Sequence, residues 1–232
     1  MEIQRESMEY DVVIVGAGPA GLATSIKLKQ INPDLNVCIL EKGSEVGAHI
    51  LSGNVFETRA LDELIPDWKE KGAPIKTKVK KEKFLFLGKK SSLSWPTWLL
   101  PSVQKNHKNY IISLANLCRW LAEQAEGLGV EIFPGFAASK IIYDEDEKII
   151  GVQTGDMGID KEGNKKDSFE PGLNIMAKVT VFSEGCRGHL GKEVIKKYKL
   201  DNNKSPQQYG IGFKEIWEIP EDQHDEGLVM HT

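Results

Sequence analysis

The hydrophobic pattern near the amino terminus predicts a strand, a helix and a second strand. Tyr10–Val15 is a short β-branched run, which is typical of a strand buried on both faces of a parallel sheet. The composition from Pro19 to about Ile31 suits a helix that ends before Asn32. Asn36–Leu40 is again short and apolar. The pattern therefore predicts one right-handed βαβ unit.

From Gly43 to about Asn109 the pattern is irregular and rich in glycine, proline, tryptophan and lysine. We interpret this stretch as an insertion into the domain that the βαβ unit begins. Regular patterns return after it and predict a helix at Tyr110–Leu128, strands at Val130–Gly135 and Lys178–Ser183, a hairpin of Ala138–Tyr143 and Ile149–Thr154, a polar turn at Asp160–Asp167, a helix at Lys192–Lys199 and a strand-like Gly210–Ile219.

The composition is ordinary for a globular protein, with 40% hydrophobic and 28% charged residues among 232. A net charge of −4 argues against nucleic-acid binding through bulk electrostatics. Met1–Glu9 matches neither a secretory signal nor an Arg-rich transit peptide, which favours cytosolic synthesis in a bacterium. No stretch approaches the roughly 18 apolar residues of a spanning helix. Any membrane contact is therefore expected to be peripheral.

The three cysteines, Cys38, Cys118 and Cys186, lie far apart and lack a C-x-x-C spacing. Neither a disulfide scaffold nor a zinc or iron–sulfur site can be built from this chain alone. The sequence also contains no convincing catalytic triad or paired-carboxylate motif, so we predict no catalytic residue and no metal ligand within it.

The loop after the first strand is the strongest chemical signal. Gly16, Gly18 and Gly21 have the G-x-G-x-x-G spacing. The first glycine turns the chain tightly, the second lets backbone N–H groups approach a pyrophosphate, and the third lets helix and strand pack closely. The diphosphate would lie at the positive end of the helix dipole, beside Pro19 and Ala20.

A carboxylate ends the second predicted strand. Glu41 lies 20 residues past Gly21, where an acidic side chain accepts hydrogen bonds from adenosine ribose hydroxyls. It would also repel a 2′-phosphate, which disfavours NADP but leaves NAD and FAD open. We expect the neighbouring Lys42 to contact the same cofactor.

A later strand is directed at the same cofactor. Lys178–Gly188 ends in small and charged residues and resembles the segment with which two-domain flavoproteins close over FAD. On this interpretation Gly185 and Gly188 bind the cofactor. The alternative is an ordinary turn between a strand and a helix.

Several longer strings resemble one family, the electron transfer flavoprotein–ubiquinone oxidoreductases. They are Gly47–Gly53, Pro66–Pro74, Asn106–Ile111, Glu123–Glu131 and Tyr209–Gly212, and the similarity extends from Tyr10 to Thr232. The resemblance implies an electron-transferring-flavoprotein dehydrogenase that takes electrons from reduced electron transfer flavoprotein into membrane ubiquinone, using FAD and a [4Fe-4S] cluster. It also implies that this chain is an amino-terminal fragment, with the cluster ligands and quinone-headgroup residues beyond it.

The fold implied by the resemblance is α/β. An FAD-binding Rossmann-like domain of the glutathione-reductase type (residues 8–45 and 110–200) would be interleaved with a smaller α+β quinone- and membrane-associated domain (residues 46–109 and 205–232). Both would be incomplete, and the iron–sulfur domain would be absent from this chain. The implied location is the cytoplasmic side of the bacterial inner membrane, as a peripheral protein.

The resemblance adds Gly47, Ser52 and Gly53 to the expected cofactor contacts. In related flavoproteins an arginine often opens the helix predicted near Tyr110, but Ser113 occupies the equivalent place here, so Arg119 is not assigned to the flavin. Four further polar residues are interpreted as structural or loop-shaping, with proximity of His49 or Ser52 to the flavin ring as the alternative: His49, His107, His189 and Asp156.

Three features predict contact with a membrane surface. Leu61, Leu64, Ile65 and Trp68 would form one apolar stripe if Thr58–Trp68 is helical. Trp95–Leu100 offers two tryptophans in a proline-stiffened loop. Nine lysines and two glutamates lie between Lys69 and Lys90. The resemblance implies contact through Gly47–Trp68. The alternatives are a stripe packed on the core and a merely solvated lysine-rich face.

Two other functions remain open at this point. An FAD-dependent reductase or monooxygenase of the geranylgeranyl-reductase type would share the glycine loop and the closing segment. A truncated flavin-binding module would have no turnover of its own.

Overall fold

The computed structural model describes residues 4–51 and 53–232. Its elements, in chain order, are β1 (Ser7–Val15), α1 (Pro19–Ile31), β2 (Val37–Glu41), β3 (Asn54–Phe56), α2 (Arg59–Leu64), β4 (Thr77–Lys78), β5 (Lys81–Leu87), β6 (Ser92–Trp95), β7 (Tyr110–Ile112), α3 (Leu114–Gly127), β8 (Glu131–Pro134), β9 (Ala138–Tyr143), β10 (Ile149–Thr154), β11 (Met157–Ile159), β12 (Lys165–Glu170), β13 (Asn174–Phe182), α4 (His189–Tyr198) and β14 (Leu228–His231). Across these described ranges, no helix has both the length and the apolar character needed to cross a bilayer.

The chain divides into two compact units. The first runs up to Ile50 and resumes at Cys118–Tyr209, and the second comprises Leu51–Leu117 and Gly210–Thr232. The first unit resumes within α3 rather than at residue 110. The division says nothing of the ligands that each unit serves, so the assignment of an FAD domain and a quinone domain stays a prediction.

A six-stranded sheet forms the centre of the first unit, in the order β8-β2-β1-β13-β10-β9. The first four strands are parallel and the last two form an antiparallel hairpin. β1, α1 and β2 form the predicted βαβ unit, with Val15 paired to Leu40 of β2 and to Phe182 of β13. The carboxyl ends of these three strands therefore lie at one edge of the sheet.

Apolar side chains on both faces of β1 make the core of this unit. Val13 and Ile14 point to opposite faces and are both fully buried. α1 contacts β1 and β2, and its Leu22 and Ile26 are also buried. Full burial of one such side chain stabilises the fold by about 1.5–3 kcal/mol.

In the second unit, α2 and the turns after it carry the apolar stripe into the core. Leu61, Ile65 and Trp68 are all buried, and the Trp68 indole N–H donates to Asp62 at 2.7 Å. The Trp68 ring also packs edge-on against Tyr110 at a centroid distance of 6.1 Å. The interpretation of this stripe as a membrane-facing surface was wrong for these three side chains, because they form the unit's own core.

Two other predicted elements differ in the structure. Tyr110–Ile112 is a strand rather than the first turn of a helix, because it pairs with β3 and β4. The helix starts after Ser113, whose hydroxyl accepts the Asn116 N–H at 3.3 Å. Gly210–Ile219, which was predicted to be strand-like, forms no strand among the described residues.

The second unit contains two three-stranded sheets, in the orders β3-β7-β4 and β14-β5-β6. β5 and β6 form an antiparallel hairpin in which Phe84 pairs with Trp95 and Leu87 with Ser92. This hairpin projects several apolar side chains into solvent, from the central strand β5 as well as from the edge strand β6.

Candidate cofactor-binding site

A cavity of about 870 Å³ opens at the carboxyl edge of β1, β2 and β13, within the first unit. Sites for small molecules and cofactors usually occupy about 300–1,000 Å³, and in open α/β sheets they lie at this edge. The lining residues predicted from sequence are Gly16, Gly18, Pro19, Ala20, Glu41, Lys42, Gly47, Gly185 and Gly188.

Glycine occupies the three loop positions for different physical reasons. Gly16 has φ +104°, and a Cβ there would lie 2.5 Å from the Ser183 carbonyl oxygen. A Cβ on Gly21 would lie 2.0 Å from the Gly16 carbonyl oxygen. Gly18 has an ordinary extended backbone, and its Cβ would meet no protein atom within 4 Å. Packing thus requires glycine at two positions, whereas the space beside Gly18 belongs to the cavity.

The amino terminus of α1 offers backbone donors to this cavity. Gly18 is the N-cap and supplies no side-chain hydrogen bond, Pro19 occupies the first helical turn, and that turn holds no acidic residue. The first N–H groups of a helix have no partner within the helix and carry the positive end of its dipole. This arrangement suits a diphosphate group.

The Glu41 carboxylate lies at the end of β2 and is held by two backbone donors. Its Oε2 accepts the Ala17 N–H at 2.9 Å, and its Oε1 accepts the Gly43 N–H at 2.7 Å. Each carboxylate oxygen has a second lone pair, so both can still accept hydrogen bonds from ribose hydroxyls. The two contacts fix the carboxylate in place before any ligand arrives.

The loop after β13 forms another wall of the cavity. Gly185 has φ +80°, and a Cβ there would meet no protein atom within 4 Å. A Cβ on Gly188, in contrast, would lie 2.7 Å from the Glu184 side chain. Glycine is therefore required at position 188 because the Glu184 side chain occupies the space of a Cβ, and at position 185 because of its backbone conformation.

Three predicted site residues lie elsewhere or cannot be placed. Gly21 packs behind the loop rather than in the cavity. Gly53 lies in the second unit with φ +81°, and its carbonyl oxygen accepts a hydrogen bond from Lys214 at 2.7 Å. Ser52 lies outside the described residues.

The sequence missed several lining residues. His49 and His189 line the cavity, although both were interpreted as structural or loop-shaping. The lining residues that were not assigned individually are Val15, Leu40, Ile50, Ala137, Ala138, Ser139, Phe182, Ser183, Glu184 and Arg187. The last four lie within Lys178–Gly188, the segment that was predicted to close over the cofactor. No local signal marks Ala137–Ser139, because Ala138 and Ser139 are placed by the pairing of β9 with β10, which in turn pairs with β13. Arg187 carried a signal in its charge next to Gly188.

Asp156 has the structural role that was predicted for it. Arg5 donates to both of its carboxylate oxygens, and the Gly172 N–H donates to Oδ1 at 2.8 Å. The hydrogen bonds from Arg5 and then from Gly172 lower the pKa of Asp156 to about 2. His107 lies in the second unit, beside Trp98 and Lys105.

The buried thiols are unreactive. Cys38 and Cys118 are fully buried, and desolvation is the main cause that raises the pKa of each thiol to about 12.

Arg119, which was not assigned to the flavin, forms an ion pair with Glu45, with 2.8 Å between its Nη2 and the Glu45 Oε1. The described part of the chain has no group of three or more His, Cys, Asp or Glu side chains that could hold a metal ion.

Comparison with known proteins extends this picture. The model of the Thi4 family matches residues 1–63. The chain is 56% identical to an electron transfer flavoprotein–ubiquinone oxidoreductase of Pseudomonas aeruginosa, over 99% of this chain and 43% of that protein. It is 53% and 48% identical to the mitochondrial proteins of that name from Arabidopsis thaliana and Sus scrofa, which it covers over 37% and 38% of their length. The chain thus spans about two fifths of these relatives.

Solved structures share the fold at low sequence identity. A geranylgeranyl bacteriochlorophyll reductase-like protein of Thermoplasma acidophilum has a TM-score of 0.53 at 19% identity, over 76% of this chain and 39% of its own. The flavin-dependent brominase Bmp2 has a TM-score of 0.52 at 21% identity, over 81% of this chain and 41% of its own. Thermovibrio ammonificans THI4 has a TM-score of 0.51 at 18% identity, over 82% of this chain and 63% of its own. The chain therefore has the Rossmann-type fold that these flavoproteins share. Along essentially its whole length it is homologous to the electron transfer flavoprotein–ubiquinone oxidoreductases, of which it spans about 40%, as its sequence strings indicated.

Proposed function

We propose that the protein containing this chain accepts electrons from reduced electron transfer flavoprotein and passes them to membrane ubiquinone through FAD and a [4Fe-4S] cluster. The observation that carries the proposal is the 48–56% identity, along essentially the whole chain, to oxidoreductases of that name. Because the chain spans only about 40% of those relatives, the activity and the partners are proposed for the whole protein.

The first-unit cavity is the proposed FAD site. The α1 N–H groups beside Gly18 would bind the diphosphate, and Glu41 would accept the ribose hydroxyls. Gly185 and Gly188 would lie along the rest of the cofactor. Bound FAD supplies a redox centre that takes up and releases electrons singly or in pairs. The chain's own residues bind and orient it, and no side chain is assigned a proton-transfer step.

Four cationic or imidazole side chains lie around the same cavity: Lys42, His49, Arg187 and His189. They would favour a cofactor that carries a diphosphate and would stabilise negative charge on a reduced flavin. These roles are proposed on the basis of their place in the cavity wall.

The cluster ligands are proposed to lie in the part of the relatives that this chain does not span. A [4Fe-4S] cluster is usually held by four cysteine thiolates. This chain has three cysteines in all, of which Cys38 and Cys118 are fully buried.

The β5–β6 hairpin and the turn after it are the proposed membrane-contacting surface, on the cytoplasmic side of the bacterial inner membrane. Its exposed apolar side chains are Phe86, Leu87, Leu93, Trp95, Trp98 and Leu99. Lys89 and Lys90, between the two strands, are also exposed. Apolar side chains bordered by lysines suit the interface of an anionic bilayer. Within Gly47–Trp68, exposed residues such as Leu51 would contact the membrane, whereas the buried Leu61, Ile65 and Trp68 would not.

The test is a purified full-length protein reconstituted with reduced electron transfer flavoprotein and a soluble ubiquinone analogue. We expect a flavin spectrum, an iron–sulfur signal by electron paramagnetic resonance, and quinone reduction that depends on the electron transfer flavoprotein. A protein that holds flavin but instead reduces an isoprenoid double bond with another donor would replace this proposal with the geranylgeranyl-reductase alternative.

A further inference from the structure

Glu184 lies in the wall of the cofactor cavity, and its carboxylate is hydrogen-bonded to α4. Its Oε1 accepts the Leu190 N–H at 3.1 Å, and its Oε2 accepts the Gly191 N–H at 2.7 Å. Both donors belong to the first turn of α4. The carboxylate therefore caps this helix from a position five residues before it, since the N-cap itself is Gly188, which has no side chain.

Two glycines make room for the carboxylate. A Cβ on Gly188 would lie 2.7 Å from the Glu184 side chain, and a Cβ on Gly191 would lie 3.4 Å from its Oε2. The first turn of α4 contains no acidic residue of its own. The amino terminus of α4 is thus a built anion site that the chain fills with its own carboxylate.

The other helix that begins at this cavity is arranged in the opposite way. α1 has Gly18 as its N-cap, no acidic residue in its first turn, and open space at the Gly18 Cβ position. An incoming diphosphate therefore finds the donors of α1 available and those of α4 already engaged. The amino terminus of α1 is therefore available to bind the ligand, whereas the amino terminus of α4 holds the loop Glu184–Gly188 through the Glu184 carboxylate.

We propose that Glu184 is a positioning residue for the cofactor's flavin half. By tying the start of the loop to α4, it would fix Gly185 and its neighbours in the conformation that lines the cavity, while Gly18 and Glu41 hold the adenosine diphosphate half. This inference rests on the proposed FAD site and names a residue that acts through the loop rather than by touching the reacting atoms.

The experiment measures FAD and ADP binding to the flavin-depleted full-length protein in three variants. Glu184→Gln keeps one acceptor oxygen, so we expect the FAD dissociation constant to rise about tenfold, and Glu184→Ala should raise it further. ADP binding should stay within about twofold of wild type in both, because ADP lacks the flavin half. Glu193→Gln is the matched control, since Glu193 is also on α4 but contacts Tyr143, and its FAD affinity should not change.

Amide hydrogen exchange gives a second readout. Leu190 and Gly191 should lose protection in Glu184→Ala and keep part of it in Glu184→Gln. Equal loss of FAD and ADP affinity would make Glu184 a general stabiliser of the cavity and would overturn the inference, as would unchanged FAD affinity in Glu184→Ala. A wild-type protein that never holds flavin would instead contradict the proposed function.

Discussion

The Cβ position of Gly16 lies 2.5 Å from the carbonyl oxygen of Ser183, so the loop after β1 and the loop after β13 are in direct backbone contact. The two loops are 167 residues apart in sequence, and the parallel pairing of Val15 with Phe182 brings them together. A single cofactor site can therefore be assembled from two loops because the strands that carry them are neighbours.

Substitution of the loop glycines should separate folding from cofactor binding. Gly18→Val adds a side chain to open cavity space, so the unfolding temperature of the flavin-depleted protein should change little while FAD retention is largely lost. Gly21→Ala should instead destabilise the fold by about 1–3 kcal/mol or more, because its Cβ overlaps the Gly16 carbonyl oxygen. Thermal melts and absorbance at the flavin band measure the two effects. Full flavin occupancy in Gly18→Val would refute the diphosphate assignment.

Glu41→Ala should weaken FAD binding through two losses. It removes the ribose acceptor, and it frees the Ala17 and Gly43 N–H groups that now hold the loop. We expect a rise in the FAD dissociation constant of about tenfold to a hundredfold, in line with the loss of charged hydrogen bonds. Glu41→Gln should fall between wild type and alanine. Equal FAD affinity in all three proteins would remove Glu41 from the site.

The sequence predicted those parts of the fold that depend on local pattern. The βαβ unit, the glycine loop and the β9–β10 hairpin all have periods or turn residues that can be read within one segment. Tyr110–Ile112 was mistaken for helix because its strand conformation comes from pairing with β3 and β4, which are distant in sequence. Tertiary pairing overrode local propensity there.

In the candidate site, too, the residues set by local pattern were predicted and those set by tertiary contacts were not. Glu41 and the glycine loop follow a spacing rule, whereas Ala137–Ser139 line the cavity because β9 pairs with β10 and β10 with β13. The stripe of Leu61, Ile65 and Trp68 has a period that fits a core face or a membrane face equally well, and only burial distinguishes them. The cap made by Glu184 needs side-chain geometry that no spacing encodes.

The Arg5–Asp156 pair should make stability depend on acid pH. The pKa of Asp156 is lowered to about 2 from an ordinary 3.8, first by the Arg5 hydrogen bond. A lowered folded-state pKa stabilises the protein above the ordinary value, and this stabilisation is lost as pH falls from about 4 towards 2. Asp156→Asn should lower the unfolding temperature by a few degrees at pH 7 and flatten its decline in that window. An identical pH dependence in the variant would show that the pair does not couple to folding.

The membrane proposal predicts different effects for tryptophans and lysines. Trp95→Ala with Trp98→Ala should reduce sedimentation with both neutral and anionic vesicles, because apolar insertion is lost. Replacing Lys89 and Lys90, the exposed lysines of the proposed surface, by Gln should reduce binding to anionic vesicles only, and salt should weaken binding of the wild type.

A matched control is available for the tryptophans. Trp217 is as exposed as Trp98, at 75% against 74%, but lies outside the hairpin. Trp217→Ala should leave vesicle binding unchanged. If all three tryptophan substitutions reduce binding equally, the hairpin has no special role, and if none does, Trp95 and Trp98 are simply solvated.

The last prediction is that these 232 residues, expressed alone, do not reduce ubiquinone. Ile211, Phe213 and Ile216 are between 86% and 95% exposed, in a segment that has no paired strand among the described residues. Such surfaces drive aggregation. Three cysteines are also fewer than the four thiolates that a [4Fe-4S] cluster usually takes. We expect a poorly soluble product with little flavin, measured by size-exclusion chromatography and visible absorbance, and no quinone reduction from reduced electron transfer flavoprotein. A monodisperse yellow protein that turned over quinone would show that the unpaired segment is harmless and that the cluster is dispensable.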